Sequence, residues 1–251
     1  MTKLNFPAIL FLLSISIAAQ DAKEMDKPIP EAKSFVTSHQ INNGGKVIRY
    51  KAVASETYLK NEAGEPEASI WSVAYIQEGM SEPWKRPVAF VFNGGPGSAS
   101  IWLHMGMLGP KLVKVPSDAS EDDGAPPYNL VENKNGLLDK TDLVFIDPVG
   151  TGYSRVVGKG KVKDYWGLHE DANSIAKFIR QWVTENNRWF SPKYIVGESF
   201  GTVRAAAVAN ALEGEGQNMA LNGLVLISQA LDYPGSTSLH DNITSYLTYL
   251  P

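Results

Sequence analysis

Lys193-Tyr194-Ile195-Val196-Gly197-Glu198-Ser199-Phe200-Gly201-Thr202 is the stretch that decides how this chain folds. Tyr194-Ile195-Val196 is a short apolar run, and residues 193–196 suit a strand buried on both faces. Residues 202–212 are Ala-rich and suit a helix whose backbone lies close to a sheet. The pattern G-x-S-x-G joins the two, which places Ser199 on a strand-turn-helix elbow. Such a turn is so tight that strand and helix nearly touch, and a Cβ at either flanking glycine would clash. Ser199 itself is expected in a strained backbone conformation that lifts its hydroxyl clear of the sheet. The plainer alternative is a buried serine that opens the helix as its cap.

Working outward, residues 88–92, 143–146 and 224–227 repeat the short, nearly continuous apolar run of a strand in a parallel sheet. Within 165–190, Ala172, Ile175, Ala176, Ile179, Trp182 and Val183 recur at helical spacing, the core-facing stripe of a crossover helix. Upstream, two β-prone runs at 46–53 and 69–76 flank Asn61-Glu62-Ala63-Gly64-Glu65 and predict an antiparallel hairpin. The acidic, Pro/Gly-rich segment 117–127 reads as a surface loop. A hairpin followed by alternating strand and helix predicts an α/β fold, a doubly wound, mostly parallel sheet with an N-terminal antiparallel hairpin.

The 251 residues suffice for one sizeable core, and 43 % hydrophobic with 20 % charged residues is an ordinary globular balance. A formal charge of −4 gives no electrostatic basis for binding nucleic acid, and no Lys/Arg run suits an anionic membrane surface. Neither a nucleic-acid partner nor stable membrane association is therefore expected. Cysteine is absent, which excludes disulfides, thiolate catalysis and Cys-based zinc sites. No His/Asp/Glu spacing suggests a metal, and no cofactor is expected; His39 and His169 read as surface residues. Met1-Thr2-Lys3 followed by the apolar run 9–19 resembles a cleaved signal peptide over residues 1–19, too short to span a bilayer comfortably. Residues 20–40 read as a linker and 41–251 as the folded part. Export without disulfides fits a bacterial periplasmic or secreted protein.

Asn93-Gly94-Gly95-Pro96-Gly97 follows the run 88–92, and its glycines leave backbone N–H groups able to approach a ligand, as an oxyanion site requires. A phosphate loop is disfavoured, since neither G-x-x-x-x-G-K-[ST] nor the full G-x-G-x-x-G spacing is present. A plain Gly-rich turn is the remaining alternative. Asp147-Pro148-Val149-Gly150-Thr151-Gly152-Tyr153-Ser154 follows another buried run and reads chiefly as a structural turn.

Taken together, Phe92-Asn93-Gly94-Gly95-Pro96-Gly97-Ser98, the 147–154 segment and Gly197-Glu198-Ser199-Phe200-Gly201 resemble the serine carboxypeptidase family of α/β-hydrolases. The resemblance runs from about Lys46 to the end of the chain. Proline iminopeptidases carry a similar Gly-Gly-Pro-Gly loop, but their nucleophile motif usually lacks the glutamate. The family resemblance implies release of C-terminal residues from a peptide substrate through an acyl-enzyme on Ser199. It implies that Gly95 and Phe200 offer backbone N–H groups to the oxyanion, and that Asn93, Gly94 and Glu198 hold the substrate's C-terminal carboxylate. Two carboxyl groups share a hydrogen bond only when one is protonated, so acidic pH is implied as well. The alternative for Glu198 is a spacer residue making a structural hydrogen bond.

Three departures from the family pattern stand out. Ser98 occupies the position of a usual cysteine. Met107 precedes Leu108-Gly109-Pro110 where a second glutamate is usual, leaving His104 either as a compensating cation or as a packing residue. The fold orders its triad Ser, Asp, His, yet only 52 residues follow Ser199, with Asp232, His240 and Asp241 as the late candidates. The triad acid and base are therefore expected outside this chain, which reads as the nucleophile half of a longer protein, inactive alone, its sheet incomplete at the C-terminus. Rival possibilities are another exported α/β-hydrolase, an esterase or aminopeptidase, and a non-catalytic binding protein of the same fold.

Overall fold

In the computed structural model, which describes residues 29–114, 126–214 and 217–230, one mixed sheet carries the fold. Its antiparallel part comes first: β1 (Ser34–Asn43), β2 (Lys46–Lys60) and β3 (Pro66–Gln77) form a meander. Then follow β4 (Val88–Phe92), the small hairpin of β5 (Lys111–Lys114) and β6 (Asn129–Glu132), β7 (Asp142–Ile146), the two-residue β8 (Arg155–Val156), β9 (Lys193–Glu198) and β10 (Gly223–Ile227). The helices are α1 (Ile101–Leu103), which runs into a π-helical turn (His104–Leu108), α2 (Lys163–Trp166), α3 (Leu168–Glu185) and α4 (Phe200–Glu213). Strand order is β1-β2-β3-β7-β4-β9-β10, with β8 beside β3; β7, β4, β9 and β10 run parallel, and β3 meets β7 antiparallel.

The continuous apolar runs have their cause in this order. β4 and β7 are central, so alternate residues enter two different cores. Val88, Phe90 and Phe92 pack with Val144, Ile146, Ile195 and the stripes of α3 and α4 on one face. Ala89 and Val91 pack with Leu143, Phe145, Leu103 and Leu108 on the other. All six residues of the predicted α3 stripe are buried. At the amino ends of the parallel strands, Asp142 is fully buried between Arg86, whose Nε lies 2.8 Å from Oδ1, and Arg188, which donates to Oδ2.

Several boundaries differ from expectation. The hairpin is longer than 46–53 and 69–76, since β2 and β3 pair over almost their whole length around Asn61–Glu65. Residues 34–40, expected within the 20–40 linker, are strand: β1 finds a full antiparallel partner in β2, which local composition does not announce. The run 224–227, expected to be buried on both faces, forms β10 at the end of the strand order, where Leu224, Val225 and Leu226 are exposed. The predicted signal peptide at 1–19, most of the loop at 117–127, and Asp232, His240 and Asp241 lie outside the described residues.

Candidate active site

The elbow forms as its glycines require. Ser199 joins β9 to α4 with φ 57° and ψ −126°, a combination that L-residues rarely adopt. A Cβ placed on Gly197 would lie 2.1 Å from the carbonyl oxygen of Gly201, so strand and helix approach as closely as the motif predicts. Thr202 ties the turn, donating to the Ser199 carbonyl oxygen from its N–H at 2.9 Å and its hydroxyl at 2.8 Å. Ser199 stands at the cap position of α4, yet its side chain caps nothing. Its hydroxyl has no hydrogen bond to any other described residue. The capping alternative is thereby excluded.

The 93–97 loop lies against this elbow because β4 and β9 are parallel neighbours, with Phe92 opposite Gly197. A Cβ on Gly94 would sit 2.4 Å from the Phe200 amide nitrogen, so only glycine lets the loop run there. Gly95 follows with φ +103°. Asn93 is completely buried; its Nδ2 donates to Glu198 Oε2 at 2.9 Å, and its Oδ1 accepts from the Leu103 N–H at 3.0 Å. All six residues singled out from the sequence, Asn93, Gly94, Gly95, Glu198, Ser199 and Phe200, therefore stand together at the carboxyl ends of β4 and β9. Asp147 and its turn act structurally: Oδ1 accepts from the Ser100 N–H and hydroxyl, each at 2.9 Å, holding the segment that follows the glycine loop. Ser154 closes the turn by donating to the Asp147 carbonyl oxygen at 2.6 Å.

His104 is a packing residue. Its ring stacks on Phe145 with centroids 4.3 Å apart, and Nε2 lies 2.7 Å from the Tyr75 hydroxyl. Burial pushes its pKa down to about 4, so the imidazole is neutral at neutral pH and cannot serve as a compensating cation. Met107 is half exposed on the π-helical turn.

Two charged residues escaped the sequence reading. Arg204 on α4 is 2 % exposed, and its Nε donates to Asp171 Oδ2 on α3 at 2.5 Å. Burial pushes the Asp171 carboxyl up against the opposing pull of that guanidinium. The available signal was a charge in each otherwise apolar helix face, Asp171 beside Ala172 and Arg204 beside Ala205. The pair contributes to the wall of a cavity of about 480 Å³, shared with Pro96, Gly97, Trp166 and Phe200. No group of three or more His, Asp or Glu among the described residues is placed to hold a metal, and no described helix is long and apolar enough to cross a membrane.

A family model described as serine carboxypeptidase matches residues 65–249. Serine carboxypeptidase-like 51 of Arabidopsis thaliana is 30 % identical over 159 residues, 61 % of this chain and 31 % of its own length. The pheromone-processing carboxypeptidase kex1 of Aspergillus terreus is 31 % identical over 167 residues, 62 % of this chain and 23 % of its own. The chain thus spans under a third of either relative. Among solved structures, the prohormone-processing carboxypeptidase KEX1(delta)p of Saccharomyces cerevisiae superposes with a TM-score of 0.53 at 21 % identity, covering 78 % of this chain and 41 % of that one. That likeness shows the α/β-hydrolase fold.

Proposed function

The chain belongs to the serine carboxypeptidase family, and from that premise we propose that the protein releases C-terminal residues from peptides through an acyl-enzyme on Ser199. The observation that carries the proposal is the Asn93–Glu198 hydrogen bond of 2.9 Å, one residue from the nucleophile on one side and one residue from Gly94 on the other. An amide donor and a carboxyl group fixed together form a receptor for a carboxylate when that carboxyl is protonated, so the free end of a peptide is recognised beside the serine that attacks it. Ser199 Oγ attacks the last peptide carbonyl, and its hydroxyl is already free of protein hydrogen bonds among the described residues. The oxyanion is received by the backbone N–H groups of Gly95 and Phe200, a reading supported by the close packing of neighbouring Gly94 on the Phe200 amide nitrogen. The proton of Ser199 needs a base, and among the described residues none hydrogen-bonds its hydroxyl. The residues at 1–19 support export.

The test is a pair of peptides that differ only in a free or an amidated C-terminus, presented to the full-length protein. The free acid is cleaved at least about a hundredfold faster, the loss expected when a charged, hydrogen-bonded contact disappears and the reacting carbonyl is misplaced. Equal cleavage of both peptides, abolished by Ser199→Ala, would leave a serine hydrolase that is not a carboxypeptidase.

A further inference from the structure

Beneath the elbow, the Arg204 guanidinium makes contacts that converge on the proposed carboxylate site. Its Nη1 donates to the carbonyl oxygen of Asn93 at 2.5 Å, while Nε is held by Asp171. Its central carbon lies 5.5 Å from the centroid of Phe92 and 5.2 Å from that of Phe200, both within cation–π range. Two of the residues it touches thus flank the site: Asn93 immediately precedes Gly94, and Phe200 immediately follows Ser199. A buried ion pair is seldom the most stable filling for a core, since apolar side chains of similar volume often serve as well or better. What an arginine does here that an apolar residue cannot is satisfy the Asn93 carbonyl in a fixed direction.

The consequence for Asn93 is that it is held at three points. Arg204 fixes its carbonyl, the Leu103 N–H fixes Oδ1, and Nδ2 is left aimed at Glu198. Rotation of the Asn93–Gly94 peptide unit would break the carbonyl's hydrogen bond to Arg204 and move Gly94 where its backbone already packs so closely that a Cβ would lie 2.4 Å from the Phe200 nitrogen. We propose that Arg204, braced by Asp171, is a positioning residue that sets the aim of Asn93 Nδ2 for the substrate's C-terminal carboxylate. It touches neither substrate nor reacting atoms. The proposal rests on the carboxypeptidase reading and deepens it.

Arg204→Lys keeps the charge but cannot serve Asp171 and the Asn93 carbonyl from two separate directions. Asp171→Asn nearly preserves shape while weakening the brace, and provides the second variant should the first fold poorly. Each full-length variant is assayed on a free-acid peptide and on a neutral blocked ester lacking a C-terminal carboxylate. In Arg204→Lys, kcat/KM for the free acid falls by about tenfold or more beyond any fall for the ester, chiefly through KM; Asp171→Asn shifts the same ratio in the same direction. Both substrates losing rate equally, or neither losing any, in the two variants would overturn the proposal and leave the pair a purely structural one. A wild-type protein that does not distinguish free from amidated peptides would instead defeat the carboxypeptidase reading, an outcome visible before either variant is made.

Discussion

Ser199 holds a backbone conformation that only glycine adopts without strain, so replacing it isolates the energy stored in the elbow. At φ 57° and ψ −126° the strain is of order 1–3 kcal/mol for a residue with a Cβ. Ser199→Gly removes that strain but adds backbone freedom to the unfolded chain, which costs about 0.5–1 kcal/mol. Ser199→Ala keeps the Cβ and hence the strain, and loses only a hydroxyl that has no hydrogen bond among the described residues. The glycine variant is therefore expected to be more stable than the alanine variant by about 1 kcal/mol, with alanine within about 0.5 kcal/mol of the wild type. Urea denaturation of the full-length protein reads this directly: at a slope of about 3 kcal/mol/M, the midpoints separate by about 0.3 M. Because both variants lack the nucleophile, activity does not enter the comparison. A glycine variant no more stable than the alanine one would mean that the turn is relaxed and that the strain argument is wrong.

Two further outcomes follow from buried charge. The pKa of His104, about 4 when folded, lies below its unfolded value near 6.5, so falling pH protonates the unfolded chain first. Stability should be lost progressively between pH 6.5 and 4, by up to about 3 kcal/mol from this group; the imidazole resonances should titrate near pH 4, and titration near 6.5 would contradict the packing assigned to the ring. Asp142→Ala would leave Arg86 and Arg188 buried without their shared carboxylate and should cost about 3–5 kcal/mol in denaturant unfolding; a loss under about 1 kcal/mol would show the network to be dispensable.

Much of the elbow was legible in the residues because its constraints are local. Gly197 and Gly201 flank a turn of fixed geometry, and their spacing from Ser199 announces it whatever surrounds them. Periodicity likewise located β4, β7 and β9 to within a residue or two at each end and the buried stripe of α3, since each depends on which faces of a single element meet the core. The edges were less legible. β1 lies in a polar stretch whose strand character comes from pairing with β2, and β10 reads as a buried strand while standing at the end of the sheet order.

The sequence by itself determined the local chemistry: a strained serine between two glycines, a glycine loop after a buried strand, and a glutamate and an asparagine in the motifs beside them. Only the tertiary structure decided that Asn93 and Glu198, 105 residues apart, share a hydrogen bond, because that depends on β4 lying parallel beside β9 in the strand order. It also decided that His104 packs as a neutral ring and that Arg204 reaches back 111 residues to the Asn93 carbonyl. Spacing along the chain reports conformation over a few residues; partners a hundred residues apart are chosen by how helices and strands stack, and that packing is a property of the whole sheet.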